Sequence, residues 1–377
     1  MPEQKRPGAV DASINRALEL GEVGLQVAAY IGDECIVDAW AGTTASNGET
    51  HVQRDTLFPV FSVSKAFVAT AVHLQAERGL IDYDAPLSRW WPEYTGSGRE
   101  SVTIRQVLTH RAGVPQMPNG VNPERLADWS WMVKELAAIE PAYPPGTHNT
   151  YLSMSFGWLL GEIVCRSDPL RRPFGQFIRE ELCAPLGMDD FWMGLPAEEE
   201  WRVAELSYPN APPVPPEGSL VRQAVPPQVG LLPEIFNRAD IHQATIPGVG
   251  GIGNAHSVAR LFAMLAGRGK IGSTRLLSEE RVMSFLEPRP EAEVDDETYG
   301  MPMPVGMGGY WIVAPGVSTT GPLRDSILCH TAAGFTIGWG DLNTGLGVAI
   351  CHNRMFGAVP ESPWAALGDA IMAHSAS

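Results

Sequence analysis

The chain has 377 residues, 44% of them hydrophobic, enough to bury a large core in one or two domains. A formal net charge of -16 excludes nucleic acid and an anionic membrane as natural partners, because both reward Lys and Arg, and it favours a neutral or cationic small molecule. The five cysteines, Cys35, Cys165, Cys183, Cys329 and Cys351, are odd in number and lack metal-ligand spacing, so reduced, buried thiols are expected. No apolar run reaches bilayer length, and residues 1–8 lack the apolar stretch of a secretory signal, so the expected location is cytoplasmic.

In chain order, residues 11–20 read as a short amphipathic helix. Two apolar strand-like runs follow, residues 24–31 and 35–40, separated by Gly32-Asp33-Glu34, which predicts an antiparallel hairpin. After a polar loop, Phe58-Pro59-Val60-Phe61 leads into Ser62-Val63-Ser64-Lys65 and an apolar helical run to Ala76. Residues 102–110 read as a helix, the pattern stays mostly helical to about residue 187, and residues 155–165 carry one apolar face. Residues 210–233 are rich in proline, which predicts a long ordered loop without regular helix. The glycine run in residues 247–253 lacks a phosphate-loop Lys-Ser/Thr and predicts tight backbone packing. Residues 307–313, 334–340 and 346–351 read as late strands, the last two joined by a hairpin turn, and residues 362–374 as a closing helix. The expected fold is therefore α+β: an antiparallel sheet built from both chain ends and flanked by helices, with a mostly helical domain inserted. Residues 1–85 and 245–377 would form the sheet domain and residues 86–244 the insert.

The chemistry centres on Ser62 and Lys65. Residues i and i+3 share a helix face, so the lysine amine can reach the serine hydroxyl. A hydroxyl is a poor nucleophile until a base takes its proton, and a lysine can be that base when burial or nearby positive charge lowers its pKa. The chain has only four lysines, so this spacing is informative. No Gly-x-Ser-x-Gly elbow occurs, and no His-Glu-x-x-His or His-x-His supports a metal. Trp311, on a glycine-flanked late segment, is a candidate wall of an acyl or alcohol pocket.

These residues resemble a known family. Phe61-Ser62-Val63-Ser64-Lys65, Gly79-Leu80-Ile81-Asp82-Tyr83-Asp84-Ala85-Pro86, Val107-Leu108-Thr109-His110-Arg111-Ala112-Gly113-Val114, Pro145-Gly146-Thr147 with Tyr151-Leu152-Ser153, Pro185-Leu186-Gly187-Met188, His330-Thr331-Ala332-Ala333-Gly334 and Asn353-Arg354-Met355 occur in family order. The chain is similar to the serine β-lactamase and penicillin-binding-protein superfamily, and most to its esterase branch, the family VIII carboxylesterases. The resemblance implies Ser62 as nucleophile, Lys65 as base partner and Tyr151 as the tyrosine of the Tyr-x-Asn or Tyr-x-Ser element. Tyr208-Pro209-Asn210 fits that element literally but opens the proline-rich loop, whereas Tyr151 follows Pro-Gly-Thr and precedes a helix. The backbone N–H groups of Ser62 and Ala333 would form the oxyanion hole, with Ser153, His330, Trp311 and Gly334 contacting substrate. His110 is expected to be structural.

The sequence departs from the family where β-lactamases carry Lys-Thr-Gly and this chain has His330-Thr331-Ala332. Histidine removes an assured positive charge, which weakens the case for a substrate carboxylate such as that of a penicillin. The reading is a serine hydrolase of short-chain carboxylic esters acting through an acyl-enzyme, needing no metal or organic cofactor, with a small-molecule ester as partner. β-Lactamase, D-amino-acid peptidase, linear amidase and acyltransferase chemistry stay open on the same residues, as does a non-catalytic binding relative. The oligomeric state is undetermined, a homo-oligomer being allowed.

Overall fold

The structure is a computed structural model, and it describes residues 3–313, 325–355 and 363–375. The elements that carry the site are, in chain order, α1 (Gly8–Glu19), β1 (Gly24–Ile31), β2 (Glu34–Gly42), β3 (Phe58–Phe61), α2 (Ser64–Glu77), α3 (Ser155–Ser167), β4 (Phe191–Met193), β5 (Gly251–Gly253), α4 (Ala255–Ala266), β6 (Ile327–Thr331), β7 (Ile337–Asp341), β8 (Leu346–His352) and α5 (Pro363–Ser375). A five-stranded antiparallel sheet runs β6-β7-β8-β1-β2, so strands from the two ends of the chain meet where β1 pairs with β8, Leu25 opposite His352 through Ile31 opposite Leu346. A fold of mixed helix and antiparallel sheet was the expectation from sequence, and the structure has it.

Both faces of this sheet are covered, which is why its strands read as nearly continuous apolar runs rather than as alternation. On one face Val10 and Ile14 of α1 and Trp364 and Leu367 of α5 pack with Val27, Ala29, Trp339 and Val348. On the other face α4 lies close against the strands. A Cβ on Gly338 would sit 2.1 Å from the Phe262 ring, and one on Gly347 would sit 2.1 Å from the Ala263 backbone nitrogen. Gly340 pairs with Gly347 across β7 and β8, so the glycines form a flat patch that admits the helix.

A second, three-stranded sheet, β3-β5-β4, stands beside α2 and aims the chain into it. Every residue of α2 from Ser64 to Ala76 is buried, so this helix is enclosed all round and its one lysine lies inside the protein. The glycine run does pack tightly, as its composition predicts: a Cβ on Gly157 of α3 would meet the Gly248 nitrogen at 2.0 Å, and one on Gly248 would meet the Met154 carbonyl at 2.5 Å. Gly157→Ala gains about 1 kcal/mol of helix propensity but forces two backbones apart. It is expected to cost a net of roughly 1–3 kcal/mol in urea unfolding, and unchanged stability would show that α3 and the glycine run part freely.

Three sequence expectations are corrected. Residues 102–110 hold only a five-residue helix, Ile104–Leu108, opened by a Thr103/Gln106 capping box and closed where His110 takes a left-handed φ of 56°. Residues 307–313 form no ladder strand; glycines turn the chain at Gly309 (φ 79°), leaving isolated bridges from Trp311 to Val305 and Cys329. The proline-rich segment contains the short helices Leu220–Ala224 and Pro233–Phe236, because Ser219 caps the first and Pro233 stands in the first turn of the second, where a missing N–H costs nothing. All five cysteines are free thiols, Cys35 and Cys165 only partly buried. Among the described residues no helix is long and apolar enough to cross a membrane.

Candidate active site

β3 ends at Phe61, whose φ of 42° is unusual for a bulky residue and turns the chain sharply into α2. Ser62 sits on that turn, 8% exposed, and Lys65 lies in the first turn of the helix that follows. Ser64, the other serine of the motif, is fully buried and its Oγ accepts the Gly251 N–H at 2.9 Å, which ties α2 to β5. The two serines are thus separated by geometry: one faces the site and the other braces it.

Lys65 is completely buried. Its Nζ lies 3.1 Å from Ser62 Oγ, 2.7 Å from the Ser153 carbonyl oxygen and 3.0 Å from the Gly248 carbonyl oxygen. All three partners are neutral, and burial pulls its pKa from 10.5 down to about 7. A neutral amine has two N–H bonds, enough for the two carbonyls, and one lone pair, which then faces the Ser62 hydroxyl.

Tyr151 is buried at 4% exposure beside Ser62 and Lys65. The Lys65 amine lies 5.4 Å from its ring centroid. Burial, reinforced by Tyr299, holds the phenol well above its ordinary pKa, with Ser62 opposing. The resting proton therefore belongs on Tyr151 rather than on Lys65. His110 stacks on the Tyr151 ring at 4.2 Å, and its Nδ1 accepts the Leu152 N–H at 3.0 Å, which makes it a neutral brace.

His330 lies on β6 and is fully buried. Its Nδ1 is 2.8 Å from the Thr331 carbonyl, its ring is 5.1 Å from that of Trp311, and burial, with Lys65 nearby, lowers its pKa to about 3. It is a neutral imidazole at any ordinary pH. Trp311, 5% exposed, fills the space between His330 and Tyr151, whose ring centroid is 6.2 Å away. Ala333 opens a short turn with Gly334 at φ 79°, and no backbone acceptor closes on the Ala333 N–H among the described residues. Gly334 is buried against Met355. Ser153 meets Lys65 through its carbonyl, while its hydroxyl lies 2.9 Å from Tyr299 Oη.

Sequence reasoning missed Tyr299, Asp296 and Arg289. The Tyr151 N–H donates to Asp296 Oδ1 at 2.9 Å, and Arg289 lies 3.4 Å from the other Asp296 oxygen. No motif marks these residues; Asp296 and Tyr299 reach the site through contacts 145 and 146 residues away in sequence, and Arg289 through Asp296. Cys35, Asp38 and His256 bring metal-type ligand atoms within 4.8 Å of one another. They form a closed network instead, with His256 bonded to Tyr30 (2.8 Å) and Asp38 (2.7 Å) and the second Asp38 oxygen taken by Arg54. A cleft of about 690 Å³ between Met117 and Gln223 contains none of the residues around Ser62.

The chain is similar to known proteins over most of its length. The esterase/beta-lactamase LipL of Mycobacterium tuberculosis is 29% identical over 352 residues, covering 88% of this chain and 77% of LipL. Among solved structures, a family VIII carboxylesterase superposes with a TM-score of 0.88 at 29% identity, covering 97% of this chain and 96% of its own. A penicillin-binding protein homolog from Caulobacter crescentus gives 0.83 at 28% identity, with 98% of both chains covered. A sequence model of the family described as Beta-lactamase matches residues 10–371, and the chain accordingly belongs to the beta-lactamase family.

Proposed function

We propose that the protein is a serine carboxylesterase that hydrolyses short-chain esters through an acyl-enzyme on Ser62. The observation that carries this reading is the buried Lys65, its pKa lowered to about 7 and its hydrogen-bond partners among the described residues being Ser62 and two carbonyls. Such an amine is a competent base at neutral pH.

In acylation the Ser62 proton passes to neutral Lys65 as Oγ bonds to the ester carbonyl carbon. The oxyanion is held by the N–H groups of Ser62 and Ala333, each donor contributing on the order of 3 kcal/mol in the transition state. Tyr151 gives its proton to the departing alkoxide and recovers one from the Lys65 ammonium, so the C–O bond breaks with proton balance restored. In deacylation water attacks the acyl carbon and its proton goes to Lys65, whose ammonium then passes a proton to Ser62 Oγ as the acyl C–Oγ bond breaks and the carboxylic acid is released. The neutral His330 offers no counter-charge for a substrate carboxylate, which favours uncharged esters over penicillins.

The test is brief incubation with p-nitrophenyl butyrate, followed by intact mass and peptide mapping, with nitrocefin turnover measured in parallel. A transient butyryl adduct on the Ser62 peptide and much faster ester than nitrocefin turnover are expected. Faster nitrocefin turnover would make this a β-lactamase; nitrophenol release with an adduct elsewhere, or none, would remove Ser62 from the mechanism. The relative LipL, described as esterase/beta-lactamase, gives the second activity its place in the test.

A further inference from the structure

One turn holds the Tyr151 segment at four points. The Glu297 N–H donates to the Asn149 carbonyl at 2.8 Å and the Tyr151 N–H to Asp296 Oδ1 at 2.9 Å. Thr298 Oγ1 donates to the Tyr151 carbonyl at 3.3 Å, and the Tyr299 and Ser153 hydroxyls are 2.9 Å apart. Both main-chain polar groups of Tyr151 are therefore held by residues 296–298. Beneath them Arg289 and Asp296 form an ion pair at 3.4 Å with both side chains fully buried. Arg289 also donates to the Thr109 carbonyl at 3.0 Å, next to the His110 that stacks on Tyr151.

A buried ion pair is a poor way to add stability, because the desolvation of both charges offsets their attraction. This pair stands where a proton must move, and its carboxylate bonds directly to the backbone of the residue that moves it. We infer that Arg289 and Asp296 are positioning residues for Tyr151, and that Arg289 supplies from behind the site the fixed positive charge that the neutral His330 does not supply from the front. The inference rests on the roles given above to Ser62, Lys65 and Tyr151.

The groups facing Tyr151 are few. Lys65 approaches from α2, His110 from the end of the Ile104–Leu108 helix, Asp296 and Tyr299 from the turn, Arg289 from the segment before it, and Trp311 from the far wall, with His330 beyond it on β6. Among these described residues the fixed charges are the Arg289–Asp296 pair, burial raising the Asp296 carboxyl against its bonds to Tyr151 N–H and Arg289, while Lys65 is lowered to about 7. The Arg289 charge favours ionised Tyr151 and the Asp296 charge opposes it.

Opposite charges predict opposite shifts, and that separates an electrostatic role from a merely structural one. The experiment is the pH dependence of kcat/KM for p-nitrophenyl butyrate in wild type, Arg289→Met, Arg289→Lys and Asp296→Asn. Rates are normalised to the fraction labelled by a fluorophosphonate. Removing the positive charge makes Lys65 and Tyr151 hold protons more tightly, so Arg289→Met moves the acidic limb up by roughly half to one pH unit. Arg289→Lys keeps the charge and returns the limb toward wild type. Asp296→Asn keeps an acceptor for the Tyr151 N–H, leaves Arg289 unopposed and moves the limb down by a similar amount. Limbs that stay in place, or that all move one way, overturn the inference. If Arg289→Met does not fold, the downward shift in Asp296→Asn decides alone. Wild-type turnover without acylation of Ser62 would overturn the functional reading itself, and this inference with it.

Discussion

Replacing Ser62 by alanine is expected to lower kcat/KM for p-nitrophenyl butyrate by about 10⁴-fold or more and to abolish the acyl adduct. No neighbouring hydroxyl can take its place. Ser64 is fully buried, with its oxygen bound to the Gly251 N–H, and the Ser153 hydroxyl is engaged by Tyr299. Among the described residues, Ser62 Oγ is the one hydroxyl hydrogen-bonded to Lys65 Nζ, at 3.1 Å. The loss should be in kcat, with binding of unreactive ester analogues little changed, because the alanine leaves the pocket walls in place. Initial rates with intact-mass spectra decide it, and residual turnover above about 1% of wild type would mean that another group carries the reaction.

Lys65→Met should lower kcat/KM by about 10³-fold, the usual worth of a positioned base, while changing stability in a pH-dependent way. The folded pKa of Lys65 is depressed, from 10.5 to about 7. Between these values the unfolded chain holds a proton that the folded chain has released, so wild-type stability rises with pH across the window and is lowest below pH 7. The burial cost in the acidic range is on the order of 4–5 kcal/mol. Methionine removes it but leaves the Ser153 and Gly248 carbonyls without a donor, at about 1–3 kcal/mol each. The variant is therefore expected to be roughly 1–2 kcal/mol more stable than wild type at pH 6 and to lose that advantage by about pH 9. Urea unfolding at the two pH values checks this. A stability difference independent of pH would show that Lys65 is not the titrating group. The same pKa places the acidic limb of wild-type kcat/KM near pH 7.

These expectations divide by how far apart their causes lie in the chain. The approach of Lys65 to Ser62 is a local consequence of helix geometry and could be read from a spacing of three residues. The hairpin of β1 and β2, the late strands β7 and β8 and the closing helix were legible for the same reason, since periodicity and turn residues act over a few positions. Residues 307–313 were misread because glycine-flanked apolar runs look alike whether or not a partner strand exists to pair with them. His330 was expected from the family resemblance to contact substrate, and only the tertiary packing, with Trp311 against it, shows that it is buried and neutral.

What the amino-acid order determined by itself is the approach of Lys65 to Ser62, the elements that present the pair and the absence of a lysine at position 330. What the tertiary structure alone decided is the state of that pair. The carbonyls that hold Lys65 come from positions 153 and 248, and the charges behind Tyr151 come from 289 and 296. The shift of the Lys65 pKa arises from the removal of water by elements that meet only in the fold, and desolvation depends on what surrounds a group in space, not on its neighbours in sequence.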